Sequence, residues 1–163
     1  MNARRLVSAL TVAVVLGAGP LACFGGQVFL PPPESGAVAV SSETALALRK
    51  RAEGFYLRLA HRRFNSLETF NDFILRDHFR TEDLFYDYYA DLAQDLEAAD
   101  FEKSRPFEVD VQEFLFEDVS NAKVRIRFDG WDDRPLRPGT TELERIDRWE
   151  FAEGTWWIRP GRL

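Results

Sequence analysis

The sequence predicts an α+β fold in which three helices precede an antiparallel sheet. Three observations predict it. Apolar residues recur at three- and four-residue spacings between Ser42 and Asp100. After Pro106 the period falls to two. Short turn signals separate the alternating runs, and hairpin turns imply antiparallel neighbours.

The chain has 163 residues, 45% apolar and 29% charged, with a formal net charge of −6. That is a globular balance for one domain of ordinary size. The acidic sum makes a nucleic-acid backbone an unfavourable partner. A single Cys excludes an intramolecular disulfide framework and a Cys-based zinc site, and two His argue against a His-rich metal centre. No cofactor or metal is expected.

Residues 1–22 read as a secretory signal. Arg4 and Arg5 lead an uncharged run from Leu6 to Ala18, too short for a stable span, which needs about 20 apolar residues. The small Ala22 stands directly before Cys23. This pattern resembles a bacterial lipoprotein signal, with Pro20 where that family usually carries an aliphatic residue. The resemblance implies cleavage before Cys23 and lipidation of its thiol, which accounts for an unpaired Cys in an exported chain. Ordinary secretion with cleavage after Ala22 is the plainer alternative. Phe24 follows Cys23 where an inner-membrane retention signal would place Asp, so the outer membrane is favoured and the lipid at Cys23 is the membrane contact. Residues 23–42 form the lipidated Cys and a tether, with flexible Gly25-Gly26 and the extended Pro31-Pro32-Pro33. Removing residues 1–22 takes the formal charge from −6 to −8.

The folded domain covers residues 43–163. Ser42 or Thr44 caps its first helix, whose apolar stripe is Leu48, Ala52, Phe55, Leu59 and Phe64. Arginines occupy much of the rest. Gly54 costs this helix about 1 kcal/mol relative to Ala and would permit close approach of another element. A second helix is expected from Ser66 to Leu75, with Asn65 and Glu68 in capping-box spacing and Leu67, Phe70, Phe73 and Ile74 as its buried side. Thr81 caps the third, and Glu82 and Asp83 complement its dipole. Its apolar face is Phe85, Tyr88, Tyr89, Leu92, Leu96 and Ala99. Asp83, Asp87, Asp91 and Asp95 form a ladder that does not surround an ion, so a solvated face is expected. A basic first helix beside an acidic third would set register through rim ion pairs.

The first strand alternates through Phe107, Val109 and Val111, shifts phase at Gln112-Glu113 as a bulge would, and resumes at Phe114 and Phe116. A turn at Asp118 to Ala122 leads to Val124, Ile126 and Phe128. A polar connection follows Asp129-Gly130. The third strand runs from Glu142 to Ala152 with Trp149 and Phe151 on one face. Glu153-Gly154 turns the chain into Thr155 to Arg159, and Pro160 ends it.

The closing Arg148-Trp149-Glu150-Phe151-Ala152-Glu153-Gly154-Thr155-Trp156-Trp157-Ile158-Arg159-Pro160 resembles the last hairpin of the nuclear-transport-factor-2-like superfamily, which includes SnoaL-like and ketosteroid-isomerase-like domains. The resemblance covers residues 43–163. It implies an NTF2-like cone, with three N-terminal helices packed on a curved antiparallel sheet and a pocket at the open end. The segment between the second and third helices is too short for the early hairpin many members carry. Such a pocket is lined by aromatics, and Tyr56, Tyr88, Tyr89 and Trp157 are the candidates. Core packing, with a hydroxyl or indole N–H reaching water, is the plainer account of each.

Isomerase-type members abstract a proton with an Asp and stabilise an oxyanion with a Tyr and a protonated acid. Those roles do not map here: Asp72, Asp77 and Asp110 lack an apolar frame, and His61 and His78 read as structural or solvated. No nucleophile, phosphate-loop or metal-spaced motif is present. No catalytic residue is assigned. The expected protein is an envelope lipoprotein whose domain binds a small apolar ligand or a protein partner. An isomerase-like enzyme and a structural envelope component are the alternatives. The resemblance also implies pairing through the exposed sheet face, as a homodimer.

Overall fold

Helix α1 spans Ser42–Leu59 and begins where extended Ser41 accepts a hydrogen bond from the Thr44 amide. The cap is thus Ser41, ahead of the Ser42 and Thr44 expected. The computed structural model describes residues 38–136 and 138–161. The signal at 1–22, Cys23 and the tether up to residue 37 lie outside the described residues. The buried stripe of α1 is Leu48, Ala52, Phe55, Tyr56 and Leu59. The helix stops at Leu59, so Phe64 does not extend it. Phe64 is buried from the following loop, its amide donating to the Ser104 carbonyl. Among the described residues no heavy atom lies within 4 Å of the position a Cβ would take on Gly54, so none of the described elements approaches closely there.

The expected second helix is two separate single turns, α2 at Leu67–Phe70 and α3 at Phe73–Arg76. Asp72 divides them. Its carboxylate accepts from the amides of Ile74 and Leu75, and such a cap competes with continued helix. Ser66 caps α2, while Asn65 accepts from Arg63 instead. The assigned buried side is also corrected. Leu67 and Phe73 are 77% and 76% exposed, whereas Thr69, Asp72 and Leu75 are buried. The link is held by its polar bonds: Arg58 and Arg62 both reach Asp72, and Arg62 also reaches Glu68.

Helix α4, Glu82–Ala98, is capped by Thr81 as expected and buries Phe85, Tyr88, Leu92 and Leu96. It meets α1 through Phe55 and Tyr88, with ring centroids 5.6 Å apart. The rim ion pairs expected between these helices do not form among the described residues. Of the α1 arginines, Arg51 turns to Asp77 and Arg58 to Asp72 of the intervening link, while Arg49 pairs with Glu53 inside the helix.

Four antiparallel strands follow in the order β1-β2-β3-β4: β1 Phe101–Phe116, β2 Asn121–Asp132, β3 Thr140–Ala152 and β4 Thr155–Arg159. The sheet curls into a half-barrel, and helices and sheet together make an α+β fold. β1 starts at Phe101, ahead of Pro106. Its early part reads irregularly because the register shifts between Phe101 and Glu108, where Lys103 and Ser104 adopt positive φ. The bulge read at Gln112-Glu113 is present as a register shift between Val111 and Glu113. Glu153 and Gly154 have φ of 56° and 79°, the paired positive values of a tight hairpin turn. Ala122, Val124, Ile126 and Phe128 of β2 join Trp149, Trp156 and Ile158 in the core with the α1 and α4 stripes. Phe101 lies over Gly130, where any Cβ would collide with its ring.

Candidate functional site

Strand alternation places Arg145, Asp147 and Trp149 on one face of β3, the face that carries the core. Helix α1 brings Tyr56 to the same point, and α4 brings Tyr88. Both phenol hydroxyls donate to Asp147 Oδ2 at 2.8 Å. The Trp149 indole N–H donates to the Tyr56 oxygen at 3.1 Å. Arg145 Nε donates to Asp147 Oδ1 at 2.7 Å, and its Nη1 reaches Asp95 at 2.6 Å. The guanidinium also lies over the Tyr88 ring, 4.9 Å from its centroid.

The centre of this network is buried. Tyr56 is 0%, Tyr88 1% and Asp147 4% exposed. No buried side-chain nitrogen or oxygen among the described residues lacks a partner. Burial first, then the charge of Asp147, pushes both phenols well above their ordinary range. Burial alone would lower the Arg145 value; Tyr88, Asp147 and Asp95 around it outweigh that and raise it. The cluster therefore has the chemical parts of an acid–base site, a carboxylate beside two hydroxyls, shielded from solvent.

The four aromatics proposed as pocket lining separate into two groups. Tyr56 and Tyr88 are core, and the network engages their hydroxyls. Tyr89 is half-buried; its hydroxyl bonds both the carbonyl and the amide of Ser66, tying α4 to the start of α2. Burial raises its phenol, with the Ser66 contact opposing. Trp157 sits at the other edge, under the Arg51 guanidinium at 5.3 Å, with its indole donating to Ala152. The hydroxyls of Tyr56 and Tyr88 meet at Asp147, whereas Tyr89 and Trp157 bond elsewhere.

Among the acids considered, Asp72 is buried. Burial acts to raise its carboxyl, but the Arg58 bond and the Leu75 and Ile74 amides outweigh that and hold it below the usual range. Asp77 and Asp110 are surface groups facing Arg51 and Arg127. His78 is buried against Phe55 and Trp149, with Nδ1 at 2.9 Å from the Ile74 carbonyl. Burial, then the charge of Arg51, holds it below the usual imidazole value. His61 is exposed. Asp83 and Asp87 are exposed, and Asp95 alone of that ladder reaches Arg145. No cluster of metal-ligating side chains occurs among the described residues.

Sequence reasoning missed Asp147 and Arg145. The signal was present: once Trp149 is placed inward, parity puts Asp147 and Arg145 inward too. Compared with known proteins, the chain matches no family model, no curated protein and no solved structure. Among the described residues no helix is long and apolar enough to cross a membrane.

Proposed function

We propose that the chain is a lipoprotein of a bacterial cell envelope, anchored by a lipid on Cys23, whose NTF2-like domain works by binding rather than turnover. Cys23 directly after Ala22, behind the short uncharged run, supports the anchor. The curled antiparallel sheet, sharing one core with the helices, supports the NTF2-like reading of the closing hairpin. The observation that carries the non-catalytic half is the closed interior around Asp147. A substrate would have to displace Tyr56 or Tyr88, and each is at most 1% exposed. For the same reason an apolar ligand inside the cone is disfavoured, and recognition belongs to the outer surface.

Growth with labelled palmitate tests the anchor. Label enters the wild-type chain and is lost in Cys23→Ser; equal label in both, or none in either, overturns it. Isomerisation of a β,γ-unsaturated ketone tests the interior. The protein leaves the buffer rate unchanged, and acceleration abolished by Asp147→Asn would establish the isomerase-like alternative instead.

A further inference from the structure

In an acidic chain, one surface gathers cations. A cleft of about 630 Å³ where the end of α1 meets β1 is lined by His61, Arg62, Arg63, Lys103 and Arg105, with Glu68 as its acid. It adjoins a second cleft of about 340 Å³ that shares His61, Lys103 and Arg105 and adds Glu102, Phe107 and Trp131.

The cleft is built from two backbone segments that bond to each other. The His61 amide donates to the Pro106 carbonyl and the Phe64 amide to that of Ser104. Arg105 Nε closes the junction on the His61 carbonyl at 3.0 Å. Six non-glycine residues among those described have positive φ, and His61, Lys103 and Ser104 are three of them. Such conformations cost energy and persist where the surroundings enforce them, often at binding sites.

The cations differ in how far they are committed. Arg62 is paired with Glu68 and Asp72, and Lys103 with Glu102. Arg63 and Arg105 have no ion pair among the described residues. Each makes its hydrogen bond through Nε, to Asn65 Oδ1 and the His61 carbonyl, and so keeps its terminal NH₂ groups for a ligand. Two guanidinium forks with an ammonium beside them match a tetrahedral oxyanion, which accepts several charge-assisted bonds at once. The adjoining cleft carries two aromatic rings. Trp131 is 57% exposed, with its ring 5.3 Å from that of Phe107.

We propose that this cleft binds a phosphate ester, its phosphoryl group between Arg63, Lys103 and Arg105 and its apolar part on Trp131. The same chemistry is available from a soluble phosphate monoester or from an anionic lipid headgroup. The site goes beyond the reading of the domain as a binding module and does not require the anchor at Cys23.

Calorimetric titration of the full chain separates the sources. The probes are phenyl phosphate, a monoester with a ring, and glycerophosphoglycerol, the diester left when an anionic lipid loses its acyl chains. Tighter monoester binding identifies a soluble ligand; diester binding of equal or greater strength identifies a headgroup. Either supports the site, provided that Arg63→Gln with Arg105→Gln weakens binding by about tenfold or more, as loss of two charge-assisted bonds requires. Arg125→Gln on the outer sheet face leaves it unchanged. Trp131→Ala weakens phenyl phosphate and spares inorganic phosphate. Should the double variant unfold, Arg63→Gln alone carries the test, because among the described residues its side chain bonds only Asn65. No binding of either ester, or equal binding by the charge variants, overturns the proposal.

Discussion

Asp147 and Arg105 are both charged, and the molecule treats them in opposite ways. Asp147 is 4% exposed and accepts bonds from Arg145, Tyr56 and Tyr88. Its three donors come from β3, α1 and α4, so the carboxylate joins the sheet to both long helices. Arg105 stands on an exposed rim and bonds a backbone carbonyl through one nitrogen. The comparison separates two uses of polarity. In the interior every group is consumed by its neighbours, and the result is a fixed packing of helices on sheet. On the rim the backbone is strained and the charges are left partly unengaged, which is the condition for recognising something else.

The comparison breaks most visibly at Asp147. Replacing it with Asn keeps the shape but removes one of the two carboxylates paired with the partly buried Arg145, leaving Asp95, and breaking one side of a buried pair costs up to about 3–5 kcal/mol. Urea denaturation of Asp147→Asn against wild type measures this. A change below about 1 kcal/mol would mean that the network is not a structural joint.

The next effect is smaller. Tyr88→Phe removes one hydrogen bond to a charged acceptor, with an expected loss of about 1.5–3 kcal/mol by the same measurement, and Tyr56→Phe costs more because it also takes the acceptor from the Trp149 indole N–H. The tyrosines also set the alkaline limit. Their folded values lie above the unfolded one near about 10. The stability they contribute is fully present below the unfolded value and is lost as pH rises through the folded ones. Ultraviolet titration of phenolate should show both ionising only as the protein unfolds.

Acid acts through other groups. His78 and Asp72 have folded values below their unfolded ones. Their stability is present above the unfolded values, about 6.5 and 3.9, and is lost as pH falls through the folded ones. Stability therefore declines in two stages on acidification, and His78→Leu removes the first.

The smallest effect sharpens the contrast. Arg63→Gln should change stability by no more than about 0.5 kcal/mol, the ordinary range for a surface substitution. A cost comparable to that of Tyr88→Phe would place Arg63 among the structural groups.

The two regions were unequally legible in the sequence. Strand alternation and the hairpin at Glu153-Gly154 were readable because period two and paired turn residues are local signals. The apolar face of α4 was readable for the same reason. The link between α1 and α4 was not, because its residues follow polar bonds rather than helical periodicity. Asp72 interrupts the helix and binds two arginines, while Leu67 and Phe73 face water. Tyr56 and Tyr88 were singled out as pocket lining, but the acid that engages them lies far along the chain and was left unplaced. The basic cleft was illegible because it joins residues 60–69 to 103–105 through a strained start of β1 that breaks the alternating pattern.

One titration tests the central division between a closed interior and a receptive rim. Nuclear magnetic resonance of the full chain can follow the tryptophan indole and arginine side-chain signals while phenyl phosphate is added. Shifts are expected at Trp131, Arg63 and Arg105, with Trp149 and Arg145 unmoved. Shifts at Trp149 and Arg145, with the rim silent, would contradict it and return the site to the interior.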